Sequence, residues 1–274
     1  MKKYLKRLLK WFVSGIPVVH VTATISQISP SEKLKGKKII VTGGGRGLGF
    51  YMAKKFIEEG AQVLITGRNE EVLKDASVKL NNCAYLPFDV QRVEEIPSFM
   101  IKADELLGGK VNCLVNNAGI SLHERSFAHV TIDSFDRQFN TNLRAPYFLS
   151  QAFVAYCLEN NIEQANILFI TSERGLYQDV IPYGLTKAAI NSLTAGLARA
   201  YVTQGIRVNA IAPGVTASDM TGFSKEGDLY REESCGHRVF LPEEVAESAA
   251  FLLSDAANCI SGEILPCNQG NHYR

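Results

Sequence analysis

The stretch Thr42-Gly43-Gly44-Gly45-Arg46-Gly47-Leu48-Gly49 decides the fold of this 274-residue chain. An apolar, β-branched run, residues 38–42, leads into it, and an amphipathic helical pattern, residues 47–59, follows it. Glycines let such a turn close and let backbone N–H groups approach a phosphate, and the dipole of the following helix favours an anion at that point. A strand, a glycine turn and a helix in this order are typical of the first unit of a dinucleotide-binding fold.

Outward from this turn, short apolar runs alternate with helical patterns. The predicted strands are residues 38–42, 62–66, 83–86, 113–115, 166–171, 206–211 and 263–266. The predicted helices are residues 47–59, 70–80, 93–107, 132–159, 182–203 and 242–254. This alternation predicts an α/β protein with a single Rossmann-type, doubly wound parallel sheet and helices on both faces. Residues 34–274 form this domain, and the polar stretch 218–240 is predicted to be a lid over the site.

Composition narrows the classes of function. Hydrophobic residues make up 46% of the chain and the formal net charge is +1, so nothing attracts it globally to nucleic acid. The six cysteines and five histidines show no metal-ligand spacing, and no metal is expected. We interpret the cysteines as reduced thiols, which predicts a cytoplasmic protein.

The N-terminal extension, residues 1–33, differs from the rest of the chain. In residues 1–12, basic side chains surround apolar ones at helical spacing, which predicts a basic amphipathic helix. Three interpretations stay open: packing on this domain or a neighbouring subunit, weak contact with an anionic membrane surface, or a signal peptide. Packing is favoured, and a signal peptide is disfavoured because no cleavage motif follows.

The end of the second predicted strand bears on the choice of cofactor. NAD sites usually place Asp or Glu there to hold the ribose hydroxyls, whereas this chain has Ile65-Thr66-Gly67-Arg68. Arg68 and Arg46 are suited to pair with a 2′-phosphate, which a carboxylate would repel. We therefore predict NADP(H) rather than NAD(H). The alternative is that both arginines are solvated surface charges.

A series of motifs in fixed order, from residue 34 to residue 270, resembles the short-chain dehydrogenase/reductase family. After the glycine turn come Asp89-Val90, Asn116-Asn117-Ala118-Gly119, Asn142-Leu143, Ser172, Tyr183-Gly184-Leu185-Thr186-Lys187 and Pro213-Gly214. The resemblance implies that Asp89 contacts the adenine and that Ser218 replaces the usual threonine near the nicotinamide. The other implied cofactor contacts are Gly43, Gly45, Arg46, Gly47, Leu48, Gly49, Arg68, Val90, Asn116, Ala118, Gly119, Tyr183, Lys187, Pro213 and Gly214.

The residue types at four of these positions suit the reduction of a carbonyl group. Reduction places negative charge on the oxygen, which then needs a proton donor, and Tyr183 matches the catalytic tyrosine of the family. Lys187 lies four residues further on the same helix face, and its charge is expected to lower the pKa of Tyr183. Ser172, with Thr171 as a weaker alternative, is expected to orient the substrate oxygen. The resemblance implies that Asn142 holds a water that links Lys187 to solvent.

The segment between Ser172 and Tyr183 is the least typical. It is slightly shorter and more charged than is usual in the family. We interpret Glu173 and Arg174 as pairing with each other or with another subunit; if either faces the pocket, a polar substrate is expected. The pocket is also predicted to use residues 120–123, Tyr177 and the lid.

The function predicted from these features is NADP(H)-dependent reduction of a ketone to an alcohol. The glycine turn, the Asn-Asn-Ala-Gly motif and the short lid resemble the 3-oxoacyl-acyl-carrier-protein reductase branch, but a sugar, steroid or small ketone fits equally well. The alternative from another class is a dinucleotide-binding sensor or scaffold that has lost catalysis. The apolar faces of residues 132–159 and 182–203 match helices that form family interfaces, which implies a homo-oligomer, a tetramer above all.

Overall fold

The structure, a computed structural model, describes residues 32–273. The strands are β1 Lys38–Thr42, β2 Gln62–Gly67, β3 Ala84–Pro87, β4 Cys113–Asn116, β5 Ala165–Ile170, β6 Ile206–Pro213 and β7 Ile264–Cys267. The helices are α1 Gly47–Glu58, α2 Glu70–Lys79, α3 Ile96–Leu106, α4 Ile132–Phe139, α5 Ala145–Glu159, α6 Pro182–Tyr201 and α7 Pro242–Leu253. Within the described part of the chain, no helix has the length and apolar character needed to span a bilayer. The helix predicted for residues 1–12 lies outside the described residues, and the domain boundary at residue 34 stays a prediction.

One seven-stranded sheet organises the domain. Its strand order is β3-β2-β1-β4-β5-β6-β7, and every neighbouring pair is parallel. After β3 the chain crosses to the other side of β1 to form β4. The order of the strands therefore reverses between β1 and β4, which opens a crevice at the carboxyl ends of these two strands, where α/β proteins bind ligands. The predicted doubly wound parallel fold is confirmed.

Helices cover both faces of this sheet because its strands are apolar on both sides. Every residue of β5 and of β6 is buried. Side chains of α3, α5 and α6 pack in one apolar layer, which includes Phe99, Phe153 and Ile190. Side chains of α1, α2 and α7 pack in the opposite layer, which includes Phe56 and Leu73. Packing of these two layers against the sheet holds the strands, and therefore the crevice at their carboxyl ends, in place.

The helix predicted over residues 132–159 is interrupted. A π-helical turn, Asn140–Arg144, separates α4 from α5. Pro146 has no backbone N–H, so the carbonyl of Asn142 receives no α-helical hydrogen bond from the fourth residue along the chain. The prediction of one continuous helix is wrong for this reason, and π turns of this kind often occur at functional sites.

The helix predicted over residues 93–107 also begins differently. Its first turn, Val93–Glu95, is a 3₁₀ turn, and α3 begins only at Ile96. Pro97 lies in the first turn of α3, where a proline costs nothing because the N–H it lacks would have no partner there. The remaining predicted boundaries agree with the structure to within two residues.

The lid, residues 218–240, is more ordered than its polar sequence indicates. A parallel bridge joins Thr216 to Phe240, and an antiparallel bridge joins Tyr230 to Arg238. Leu229 and Val239 are buried in a small apolar cluster that the lid shares with its flanking residues. The lid therefore has its own packing and is anchored at both ends.

Candidate active site

The glycine turn joins β1 to α1 at the crevice. Gly43 and Gly47 have φ values of +65° and +53°, a region in which side chains other than glycine are strained. A Cβ atom on Gly49 would overlap the carbonyl oxygen of Gly43. Within residues 32–273, no side chain caps the first turn of α1 and no acidic residue lies in it. The N–H groups at the start of α1 are thus suited to an anion.

Asn117 and Thr42 hold this turn against β4. The Asn117 side-chain amide donates to the carbonyl oxygens of Thr42, at 2.8 Å, and Gly43, at 3.2 Å. The Thr42 hydroxyl oxygen accepts from the backbone N–H groups of Asn117 and Ala118, each at 3.0 Å. Sequence reasoning placed both residues in motifs but gave neither a role. The structure makes them the link between the two strands that border the crevice.

Three of the predicted cofactor residues direct their side chains into the protein. The Asn116 amide is buried and donates to the Ser150 hydroxyl at 3.0 Å. Val90 packs in the apolar layer of α3, α5 and α6, and Leu48 packs against the opposite layer. Contacts from these residues to a bound molecule would therefore use backbone atoms.

The predicted adenosine contacts Arg68 and Asp89 follow the ends of β2 and β3. The Asp89 carboxylate accepts from the backbone N–H of Gln91 at 3.0 Å. Arg68 is exposed at the end of β2. Arg46 lies 3.5 Å from Asp219 of the lid, in an exposed pair. A cavity of about 740 Å³ separates the glycine turn and α2 from the lid, and Arg46 and Ser218 line it.

Asn142, in the π turn, fixes the loop that follows β4. Its side-chain oxygen accepts from the N–H of Ile120 at 2.8 Å, and its amide donates to the carbonyl of Ile120 at 2.8 Å. The same amide donates to the Thr186 hydroxyl on α6 at 3.3 Å. Asn142 therefore joins the chain after Gly119 to the helix that carries Tyr183. The water relay implied for Asn142 stays a prediction.

Lys187 lies beneath this junction. Its Nζ donates to the carbonyl oxygen of Ile170, the last residue of β5, at 2.8 Å and lies 5.5 Å from the centre of the Tyr183 ring. A Cβ atom on Gly119 would be in ordinary contact with the same Nζ, at 3.5 Å, and in tight contact with the Asn142 side-chain oxygen, at 3.3 Å. Burial lowers the pKa of Lys187 to about 8. The predicted shared face of Tyr183 and Lys187 is present.

The pKa of Tyr183 differs from the sequence-based expectation. Burial raises this pKa above the ordinary value for tyrosine, and a hydrogen bond with Ser172 and the positive charge of Arg174 act in the opposite direction. The expectation that Lys187 lowers the pKa of Tyr183 is wrong. Desolvation of the buried phenol is the larger effect, and Lys187 donates its hydrogen bond to the Ile170 carbonyl. Thr171 donates its hydroxyl to the Ile211 carbonyl, which leaves Ser172 as the hydroxyl beside Tyr183.

Glu173 and Arg174 do not pair with each other. Arg174 donates from Nε and a terminal nitrogen to both oxygens of Asp179, at 2.7 and 2.8 Å. Glu173 is buried and accepts from the amides of Asn271, at 2.9 Å, and Asn268, at 3.3 Å. The predicted mutual pair is wrong because each side chain has a partner distant from the other.

The loop predicted to line the substrate pocket meets the lid. His123 lies in the left-handed region, with φ of +53°, and its ring Nε2 is 3.1 Å from the carbonyl oxygen of Met220. The side chain of Tyr177 is partly exposed, and the charge of Arg174 acts on its phenol. Residues from β4, β5, α6 and the lid thus approach one end of the crevice.

Comparison with known proteins places this arrangement in a family. A family model described as "Enoyl-(Acyl carrier protein) reductase" matches residues 43–272. A 3alpha-hydroxysteroid dehydrogenase of Mediterraneibacter gnavus is 37% identical, over 85% of this chain and 95% of that protein.

The chain belongs to the short-chain dehydrogenase/reductase family.

Two further relatives of this short-chain dehydrogenase/reductase show the range of the family. The L-rhamnose 1-dehydrogenase (NADP(+)) of Thermoplasma acidophilum is 32% identical, over 86% of this chain and 96% of that protein. The crystal structure of 3-ketoacyl-(acyl-carrier-protein) reductase from Brucella melitensis complexed with NADH has a TM-score of 0.80 and 29% identity, and it covers 87% of this chain and 99% of that one. This chain is accordingly an oxidoreductase that acts on alcohol or carbonyl groups.

The residues of this short-chain dehydrogenase/reductase fit the nicotinamide dinucleotide that the family binds. Gly43 and Gly47 adopt left-handed backbone at the crevice, and α1 begins there without a side-chain cap. A pyrophosphate at this point would receive the open N–H groups of the helix and its positive dipole end.

Proposed function

We propose that this oxidoreductase is specific for NADP(H) and reduces a ketone to a secondary alcohol, with Tyr183 supplying the proton. The observation that carries the proposal is the convergence of Tyr183, Ser172, Lys187 and Asn142 at the carboxyl ends of β4 and β5, beside the glycine turn. When bound, the cofactor supplies the hydride that the carbonyl carbon accepts. The protein supplies the proton, the orientation of the substrate and the recognition of the cofactor.

Tyr183 is proposed as the proton donor. Its raised pKa keeps the phenol protonated at neutral pH, which is the form that donates to a carbonyl oxygen as negative charge develops there. Ser172 lies beside the phenol and donates a second hydrogen bond to the same oxygen, which orients the carbonyl. After transfer, Tyr183 is a phenolate and must regain a proton.

Lys187 is proposed to return that proton. Its pKa of about 8 is close to neutral pH, so it exchanges protons more readily there than an ordinary lysine does. Asn142 holds the Ile120 backbone and Thr186 close to Lys187, and we propose that it also holds the water through which the proton arrives.

Selectivity for NADP(H) rests on charge. Arg68 is exposed where β2 ends, and Arg46 lies in the glycine turn and forms an exposed pair with Asp219 at 3.5 Å. Exposed pairs of this kind contribute little energy, so Arg46 is able to exchange Asp219 for a 2′-phosphate. One relative is named as an NADP(+) enzyme and one solved neighbour is complexed with NADH, so the two arginines support the proposal and the family likeness does not.

The substrate class is proposed only as a carbonyl compound. The resemblance to 3-oxoacyl-acyl-carrier-protein reductases favours an acyl thioester, while the named relatives act on steroid and sugar hydroxyls. A catalytically silent sensor is the competing function. Loss of Tyr183, Lys187 or Ser172 would favour a sensor, but all three are present.

The test is NADPH consumption across acyl-thioester, steroid, sugar and small ketones, with wild type and Tyr183→Phe. We expect one class to be turned over by wild type, and the variant to lose turnover because it has no transferable phenolic proton. The variant keeps the ring that packs near Lys187, so NADPH binding, followed by fluorescence, should be almost unchanged. Retained turnover in the variant would refute the assignment of Tyr183.

A further inference from the structure

The C-terminal segment after β7 contacts the turn that carries Ser172. Glu173, the next residue, is 7% exposed, and its Oε2 accepts from the amide of Asn271 at 2.9 Å and from the amide of Asn268 at 3.3 Å. A buried carboxylate is costly unless hydrogen bonds replace its water. These two amides supply such bonds, and they tie the Ser172 turn to residues almost one hundred positions further along the chain.

The side-chain oxygen of Asn271 contacts the lid. Its Oδ1 accepts from the backbone N–H of Cys235 at 3.2 Å. Cys235 lies in the distal lid loop, residues 230–238, which the Tyr230–Arg238 bridge closes. Gln269 lies against Gly236 in the same loop so closely that a Cβ atom there would overlap it. One side chain therefore spans the gap between the Ser172 turn and the lid.

Each amide in this bridge forms all of its hydrogen bonds in one orientation only. Asn271 must present its oxygen to the Cys235 N–H and its nitrogen to the Glu173 carboxylate, because an N–H group can only donate and a carboxylate can only accept. Asn268 is 1% exposed, and its oxygen accepts from the Gly270 N–H and lies 3.1 Å from the His272 ring. A continuous chain of hydrogen bonds therefore joins the distal lid loop, through Asn271, to Glu173.

We propose that Asn271 is a positioning residue that couples the distal lid loop to the Ser172 turn, so that Ser172 is correctly placed only when the lid loop is docked. The proposal rests on the proposed function of Ser172. The side chain of Asn271 bonds to Cys235 and Glu173, so we place its effect on the site through Glu173. A 1 Å displacement of an orienting group can cost about 100-fold in rate, so a bridge of this length is sufficient to affect turnover.

The test exchanges the hydrogen-bond donor and acceptor between positions 173 and 271. Asn271→Asp places a second carboxylate against Glu173, and Glu173→Gln with Asn271→Asp restores a donor opposite an acceptor between these two positions. The double variant gives up the bond from the Asn268 amide, which uses the same Oε2 as Asn271. Asn258→Asp, on an exposed turn at the other end of the strands, is the matched control. The titratable groups on which the charge of Glu173 acts are Tyr177 and Tyr183. The His272 ring lies against Asn268, which donates to Glu173, and all three groups are kept.

With the ketone found in the NADPH screen, we expect Asn271→Asp to lower kcat about 10-fold at pH 8 and less at pH 6, where one carboxyl takes up a proton. The double variant should recover to within about 3-fold of wild type at both pH values. A purely structural role would not produce this pH dependence with recovery. Equal kcat in Asn271→Asp and Asn258→Asp, or no recovery in the double variant, would overturn the proposal.

Hydrogen exchange of the proteins alone separates this proposal from the proposed function. We expect Asn271→Asp and Asn271→Ala to speed exchange in both the 171–177 and 230–238 segments, and the double variant to restore protection in both. Faster exchange in one segment only would overturn the coupling. If wild type turns over no carbonyl while both segments respond together, the coupling stands and the proposed reaction fails.

Discussion

At the scale of single residues, three buried polar side chains near the crevice form hydrogen bonds with other elements of the fold. Lys187, Asn142 and Glu173 each bond to an element distant in sequence: the end of β5, the loop after β4 and the C-terminal segment. Sequence motifs identify Lys187 and Asn142 because their spacing is local and fixed. The partners of Glu173 lie 95 and 98 residues away, and no local pattern points to them.

Arg68→Ala tests the choice of cofactor. We expect it to weaken NADPH binding about 10-fold or more, because a charge-assisted hydrogen bond to phosphate is lost, and to leave NADH binding nearly unchanged. Fluorescence titration with both cofactors measures this, and Lys102→Ala, on the exposed face of α3, controls for the loss of one positive charge. An equal loss for NADPH and NADH would contradict the assignment.

Lys187 should make stability depend on pH. Burial lowers its pKa to about 8, whereas a free lysine has a pKa of about 10.4. Between these values the unfolded chain carries a proton that the folded chain lacks, so the free energy of unfolding contributed by Lys187 rises with pH. The urea midpoint of wild type should therefore rise from pH 8 to pH 10 relative to Lys187→Met. A constant difference between the two proteins across this range would disprove the shift.

At the scale of elements, the glycine turn and the lid were predictable to different degrees. The turn lies between a β-branched run and an amphipathic helix, so its place in the fold follows from local sequence. The order within the lid does not, because Leu229 and Val239 are isolated apolar residues whose cluster forms only after the chain folds back. The π turn also escaped prediction, since Pro146 alone indicated it.

Gly49→Ala tests the packing of the glycine turn. A Cβ atom there would overlap the Gly43 carbonyl and the Asn117 amide, so we expect a loss of about 2 kcal/mol in the free energy of unfolding and weaker binding of both cofactors. Gly196→Ala is the control: it lies on α6 with open space around it, and it should stabilise the protein by roughly 0.5–1 kcal/mol. Similar urea midpoints for the two variants would contradict this account.

At the scale of the whole molecule, the apolar layers were predictable from periodicity, because parallel strands covered on both faces are apolar throughout. The oligomeric state was not predictable from the pattern of residues, although the family likeness implies a homo-oligomer. Tyr147, Phe148 and Leu158 on α5 are between 38% and 47% exposed. We propose that this face meets a second copy of the chain. The cytoplasmic location stays a prediction.

Leu158→Glu tests this assembly. We expect wild type to scatter light as a multiple of the chain mass, and the variant to shift toward the monomer, because a carboxylate buried in an apolar interface loses its hydration. Val78→Glu, on the exposed side of α2, is the matched control and should leave the mass unchanged. A monomeric wild-type protein would contradict the prediction.

The π turn has a consequence for how this chain tolerates changes in length. A π turn amounts to one residue more than the α-helical path needs. Deleting one residue between 140 and 144 would permit a regular helix and would keep the flanking faces of α4 and α5 nearly in place, because the extra residue is accommodated within this one turn. The side chains inside the turn would move instead, and Asn142 would lose its hydrogen bonds to Ile120 and Thr186. A single deletion there should therefore preserve the fold while it disrupts the junction between the loop after β4 and α6.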